Sequence, residues 1–375
     1  MSDPLDWLHE VHEDRVRAGL RREPRVRAAE ASQLDLASND YLGLGKDERV
    51  RKAAAQAVLE WGPGSTGSRL VTGTTALHIE LEQDLAAFLG TQASFVCSTG
   101  YHANLAAITS LAGADCLVIS DALNHASIID GCRLSRSRIV VVDHLDTDAV
   151  AVALAQRHEK RALVITDSVF SADGDLADLA KLHDLARQHG AVLIVDESHA
   201  LGIVGPGGRG ACVAAGINAE PDVVITAALS KSFAAQGGVV AGSALVREHL
   251  INTARGVIFE TGLSPAAVAA VSESLRIITS EPHLCESARS NALRLAQITG
   301  APTPEAAVVS VLVGDAHAAV ALQSRLFELG FWVGCFRPPS VPEGTSRLRI
   351  TARADLSIED LDGFARAYAR AMQSA

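Results

Sequence analysis

Two apolar runs, each ending in polar residues, constrain this chain more than any other feature. Ala191-Val192-Leu193-Ile194-Val195 runs into Asp196-Glu197-Ser198-His199, and Val223-Val224-Ile225-Thr226 leads to Leu229-Ser230-Lys231-Ser232. Short runs rich in β-branched residues, without polar alternation, suit strands buried on both faces. Such strands belong to a mostly parallel sheet with helices on both sides. Each run delivers polar groups just past its carboxyl end: Asp196 and His199 from one, Lys231 from the other. In open α/β sheets that edge is where ligands bind.

A lysine and a carboxylate together at that edge match a specific chemistry. The amine can form a Schiff base with an aldehyde cofactor, and the aspartate can pair with the protonated nitrogen of its pyridine ring. This is the pyridoxal phosphate (PLP) arrangement. Taken singly, the two residues equally fit a loop-closing carboxylate and a surface lysine, so the rest of the chain decides.

The pattern of strand followed by polar turn recurs. Ala93–Cys97 leads to Ser98-Thr99-Gly100-Tyr101 and a helix over His102–Leu111. That turn is either an ordinary connection or a phosphate site, where backbone N–H groups and a helix dipole meet an anion. Cys116–Ser120 leads to Asn124-His125, which places His125 at the same edge, suited to stacking on a heteroaromatic ring. Further strands are expected at 139–142 and at 162–166, the second before Ser168-Val169-Phe170-Ser171-Ala172-Asp173-Gly174. The spacing predicts helices over 5–22, 47–61, 74–89, 175–189 and from about 266. Strands at 308–313, 332–335 and 347–351, with helices at 315–330 and at the end, suggest a small α+β domain. The expected division is an N-terminal helical segment 1–45, a large domain 46–265 and a small domain 266–375. Two GxGxxG matches, Gly62 to Gly67 and Gly205 to Gly210, are not dinucleotide fingerprints. The first follows a helix, and the second follows its strand only at a distance.

Charge narrows the function classes. Lys plus Arg is 33 against Asp plus Glu at 44, a net −11 over 375 residues. This argues against nucleic acid as a partner, which needs a basic face. The six arginines from Arg15 to Arg27 read as a solvated helix face, with Arg21 a candidate for a substrate carboxylate. None of the six cysteines forms a CxxC pair, so they read as reduced core residues of a cytoplasmic protein. Met1 to Leu5 has no basic start or long apolar core, so no signal peptide is expected. No apolar stretch reaches the roughly 18 residues of a membrane span.

Seven ordered segments carry a family resemblance. They are Ser38-Asn39-Asp40-Tyr41-Leu42-Gly43-Leu44, Thr99-Gly100-Tyr101-His102-Ala103-Asn104, Asn124-His125-Ala126-Ser127, Ser168 to Gly174, Asp196-Glu197-Ser198-His199, Leu229-Ser230-Lys231, and Arg337 to Arg349. Together they resemble the α-oxoamine synthases, PLP enzymes of fold type I. The resemblance implies a mostly parallel seven-stranded α/β sheet with a smaller C-terminal α+β domain, and a homodimer. Within the family it points to the acyltransferase of biotin synthesis, which condenses L-alanine with a pimeloyl thioester of CoA or of a carrier protein.

By position, the resemblance gives Lys231 the Schiff base and Asp196 the pyridine nitrogen. His199 and Ser171 would face the ring oxygen, and His125 would stack on the ring. Gly100 and Tyr101 would hold the phosphate through backbone N–H groups, and Thr261 would reach the phosphate of the partner subunit's cofactor. Arg349, with Asn39 nearby, would bind the substrate carboxylate, while Arg21 and Ser340 would contact the acyl substrate. No metal is implied.

Two departures stand out. After the aspartate, Ser198 and Ala200 replace the family's alanine and glycine, small-for-small changes that leave Asp196 and His199 in register. Ala228, three residues before the lysine, replaces a Thr or Ser whose hydroxyl binds the cofactor phosphate. The loss predicts weaker PLP retention, with Ser230 or Thr226 as possible substitutes. The alternatives are a sibling synthase (glycine C-acetyltransferase, 5-aminolevulinate synthase or serine palmitoyltransferase type) and a non-catalytic protein of the same fold.

Overall fold

The computed structural model describes residues 3–30 and 32–373; Met1 and Ser2, read above for a leader, lie outside the described residues. The chain begins with α1 (Trp7–Arg17), β1 (Leu34–Leu36), α2 (Glu48–Trp61), α3 (Ala76–Leu89), β2 (Ala93–Cys97) and α4 (Gly100–Leu111). Then follow β3 (Cys116–Asp121), α5 (Ala126–Leu134), β4 (Arg138–Val142), α6 (Thr147–Ala155), β5 (Arg161–Asp167) and α7 (Leu179–Gln188). Next come β6 (Val192–Asp196), α8 (Ala211–Ala214), β7 (Val223–Ala228), β8 (Gly238–Gly242), α9 (Ala244–Thr253) and α10 (Arg255–Phe259). The last elements are α11 (Pro265–Ser280), α12 (His283–Thr299), β9 (Val308–Gly314), α13 (Ala316–Glu328), β10 (Phe331–Phe336), β11 (Ser346–Thr351) and α14 (Ile358–Gln373).

The chain divides into two compact units. The larger holds Asn39–Ser171 and Asp175–Ala288; the smaller holds the residues up to Ser38, Ala172–Gly174, and those from Arg289 onward. This differs from the expected boundaries at 45 and 265. Helix α11 packs on α2 and α3 of the larger unit, and β1 pairs with β10 in the smaller one. The reason is local: α11 buries Val268, Val271, Leu275 and Ile278 along one stripe, and α2 supplies the opposing face.

In the larger unit, seven strands among the described residues form one sheet in the order β2-β8-β7-β6-β5-β3-β4. It is mostly parallel, as expected; β8 alone of these strands runs antiparallel to its neighbours, β2 and β7. Successive side chains point to opposite faces. Thus Val118, Ile165, Ile194 and Val224 pack with Ala103, Ala107 and Ile108 of α4 and Ile128 of α5. On the other face Ile119 and Val164 line a cavity of about 120 Å³ with Val150 of α6 and Leu182 of α7.

Helix starts follow local caps. The Thr99 side chain accepts the His102 N–H, so α4 opens at Gly100, two residues earlier than expected. Asp178 caps α7, which therefore begins at Leu179 rather than 175. Helix α1 is shorter than the expected 5–22 and buries none of its residues within the chain.

The smaller unit has a four-stranded sheet in the order β1-β10-β11-β9, parallel only at β1–β10. Helix α13 packs against it and against α14. Among the described residues no helix is long and apolar enough to cross a membrane. None of the six cysteines is in a disulfide, and five are buried.

Two polar clusters tie the larger unit. Arg69 and Glu82 are both buried and pair at 2.7 Å. Arg69 also donates to the Val96 carbonyl and Thr74 Oγ1, and lies over the Phe95 ring. The Glu82 carboxylate further accepts from Val96 N–H and Arg247. In the second cluster, His144 Nδ1 lies 3.0 Å from Asp121 and Nε2 lies 2.6 Å from Asp175, which joins the loops after β3, β4 and β5. Those hydrogen bonds, to Asp121 and then Asp175, raise the His144 pKa to about 9.

Each cluster yields a prediction. Glu82→Ala leaves the Arg69 charge buried without its partner and should remove about 3–5 kcal/mol of stability, read by denaturant or thermal unfolding. His144 titrates higher in the fold than its ordinary 6.5, so its contribution is full below about 6.5 and lost as pH rises through about 9. The gap in thermal midpoint between the native chain and His144→Gln should therefore close over that range. A constant gap would show that the imidazolium is not what stabilises.

Candidate active site

The parallel strands β3, β5, β6 and β7 end at one edge, and the polar residues expected there are delivered to it. Asp196 ends β6 opposite Thr226 of β7, and Asp167 ends β5 opposite Asp196. Lys231 follows β7 by three residues. His125 is the N-cap of α5, after β3. The charges of Asp196 and Lys231 both act on His125, which puts the three groups in one electrostatic neighbourhood.

A buried hydrogen-bond network lies beneath these groups, and its centre is Asn104 on α4. Its Nδ2 donates to Asp196 Oδ2 at 2.6 Å and to Ser127 Oγ at 2.8 Å, while its Oδ1 accepts from Thr226 Oγ1 at 2.5 Å. Asp196 Oδ1 accepts the Ser198 N–H at 2.7 Å. Both Asp196 oxygens are thus held, and the carboxylate is buried.

The network also sets the His125 tautomer. Ser127 Oγ accepts from Asn104 and lies 2.7 Å from His125 Nδ1. The Ser127 N–H points at the same Nδ1. His125 Nδ1 is therefore an acceptor and Nε2 carries the proton. Burial, the largest cause, and the Lys231 charge lower the His125 pKa against the pull of Asp196, which favours the neutral ring. The His125 backbone N–H donates to Asp167 Oδ2 at 2.7 Å. Complete burial and then the neighbouring Asp196 push Asp167 well above the usual carboxylate range.

The remaining expected residues are placed as follows. The Tyr41 hydroxyl lies 2.5 Å from His199 Nδ1, and it donates to Asn39 Oδ1 at 3.3 Å. Gly100 and Tyr101 open α4, where backbone N–H groups have no partner inside the helix. The Tyr101 side chain turns outward and donates to Asp130. Ser171 ends the first segment of the larger unit, and Thr261, exposed, bridges to Ser68. Arg21, Ser340 and Arg349 belong to the smaller unit. There Arg349 is buried over the Phe336 ring and donates to Thr351 Oγ1, Ser340 is exposed, and Arg21 pairs with Glu23 at a cavity of about 530 Å³ shared with Arg25 and Arg337.

The two expected substitutes for the residue 228 hydroxyl are placed differently. The Thr226 hydroxyl is committed to Asn104, and Ser230 is exposed. The glycine loop at 205–210 also has a clear partner. Glu197, fully buried, accepts the N–H groups of Ala211 and Cys212 just past it, and a Cβ on Gly210 would meet that carboxylate at 3.0 Å. The loop's anion is the chain's own side chain.

Sequence reasoning missed Asn104, Ser127, Tyr41 and Asp167 as parts of this site. Asn104 carried one signal: it is a polar residue on the helix stripe of Ala103, Ala106 and Ala107, one turn from Gly100.

The chain belongs to the aminotransferase class I and II family, whose model it matches over residues 31–367. Its relatives narrow that class. It is 54% identical over 373 residues to the 8-amino-7-oxononanoate synthase of Mycobacterium sp. (strain JLS), covering 99% of this chain and 98% of the relative. Among solved structures it is similar to Sphingomonas wittichii serine palmitoyltransferase, with 32% identity, a TM-score of 0.92, and coverage of 100% and 99% of the two chains. It is 30% identical, again at a TM-score of 0.92 and coverage of 100% and 99%, to a serine palmitoyltransferase variant from S. paucimobilis with bound PLP–myriocin.

Asn104→Ala should leave Thr226 and one Asp196 oxygen without a partner, and Ser127 with His125 alone. The expected loss is about 1–3 kcal/mol for each group stranded, measured by urea unfolding of the cofactor-free chain. A loss below about 1 kcal/mol in total would mean that water replaces the amide.

Proposed function

We propose that this chain is a PLP-dependent acyltransferase. It condenses L-alanine with a pimeloyl thioester, of CoA or a carrier protein, to 8-amino-7-oxononanoate, CO2 and the released thiol, a step of biotin synthesis. The near full-length likeness to 8-amino-7-oxononanoate synthase carries this reading. The site is compatible with it: an amine, a doubly held carboxylate, a neutral imidazole and a helix N-terminus suit a pyridine aldehyde phosphate.

Bound there, PLP supplies the electron sink for deprotonation and decarboxylation at an amino-acid α-carbon. Asp196, held by Asn104 and the Ser198 N–H, would keep the proton on the ring nitrogen. Lys231 would be the amine that holds the cofactor's aldehyde carbon, and the base for the α-proton of alanine. His125 would stack on the ring, with its Nε2–H available to the thioester carbonyl oxygen as negative charge develops there. His199, bonded to Tyr41, and Ser171 are assigned to the ring oxygen. Gly100 and Tyr101 offer backbone N–H groups to the phosphate.

Arg349, with Asn39, is assigned to the substrate carboxylate, because a guanidinium fork matches a carboxylate in two hydrogen bonds. Arg21 and Ser340 are assigned to the acyl substrate. The working form is a homodimer, with Thr261 contributing to the partner's phosphate site.

The purified chain should show a visible absorption band that borohydride abolishes and that Lys231→Ala lacks. It should release CoA from L-alanine plus pimeloyl-CoA, and not from L-serine plus palmitoyl-CoA or glycine plus acetyl-CoA. Turnover only with the serine or glycine pair would reassign it to a sibling synthase. A colourless protein would leave only the non-catalytic reading.

A further inference from the structure

The geometry points to Ser198 as a phosphate-binding residue for the cofactor, its hydroxyl supplying the donor that position 228 lacks. This rests on the PLP reading above.

Asp196 and Thr226 are opposite each other on β6 and β7, and two residues further along each chain stand Ser198 and Ala228. The Ala228 N–H donates to Ser198 Oγ at 2.7 Å. A serine hydroxyl has one proton and two lone pairs. One lone pair is used here, and among the described residues nothing accepts the proton. Ser198 is only 6% exposed, so this is a buried donor without an acceptor. Native structures rarely leave such a donor unmet unless a ligand meets it.

What lies beside it is an anion site. A Cβ on Gly100 would come within 2.5 Å of Ala228 Cβ and 2.9 Å of Ala228 N, the same nitrogen that bonds Ser198. Gly100 is the first residue of α4, a helix of 12 residues, and Thr99 already caps His102. The Ser198 hydroxyl, the Ala228 backbone and the opening of α4 therefore form one cluster. A phosphate at that helix end can accept from the helix N–H groups and from Ser198. The two departures from the family pattern are thus neighbours: a hydroxyl is gained at 198 where one is lost at 228.

The test compares PLP with pyridoxal, which lacks the phosphate, on cofactor-free protein. Dissociation constants are read from the change in absorbance on binding. Ser198→Ala should weaken PLP about 10-fold or more, as for a hydrogen bond to a charged group, and leave pyridoxal within about 2-fold. Adding Ala228→Thr to Ser198→Ala should restore most of the loss. Equal weakening of both ligands would mean that Ser198 only shapes the turn, and no weakening would mean that its hydroxyl does not meet the phosphate; either overturns the proposal. Failure of the native protein to bind PLP at all would instead overturn the PLP reading itself.

Discussion

The site depends on one side chain amide. Asn104 donates both of its protons, to Asp196 and Ser127, and accepts from Thr226. Around it Asp196 is held in a fixed orientation, and the Ser127 N–H makes His125 Nδ1 an acceptor, with the ring proton on Nε2. Hydrogen bonds of this kind are worth little net in water but much as a constraint, because every alternative leaves a buried group unmet. The amide holds the polar edge of a parallel sheet to one hydrogen-bond pattern.

That pattern lies on an otherwise apolar frame. The strands ending at the site bury both faces, so their backbone carries the end residues without slack. Register between β6 and β7 places residues 196 and 226 side by side, and just beyond it the Ala228 N–H meets the Ser198 hydroxyl. A slip of one residue would turn Asp196 to the other face and separate it from Asn104.

Much of this is legible in the sequence, for physical reasons. Strands buried on both faces are continuous apolar runs, and polar residues past their ends mark the edge, so the residues alone assign Asp196, His125 and Lys231 to it. Helices such as α5, α6 and α9 are not legible: they are short, and their starts depend on single caps, including His125 itself and Asp146. Asn104 is hidden because its partners come from three other elements, far apart in the chain. The boundary of the compact units is not legible because α11 follows the last strand of the large sheet yet finds its apolar partner in α2. The family pattern draws attention to Ala228, but only the fold shows that Ser198 is its neighbour.

The pairing of β1 with β10 bears on how the polypeptide is made. Leu34–Leu36 leave the ribosome early, and the strand they pair with, Phe331–Phe336, follows about 300 residues later. At about 5–20 residues per second, the early strand waits roughly 15 to 60 s for its partner. Within that interval every strand of the larger sheet is made, whereas the smaller sheet adds only β9, near the end. Biogenesis of the smaller sheet is therefore late by topology, and during that wait the exposed strand is available to holding chaperones.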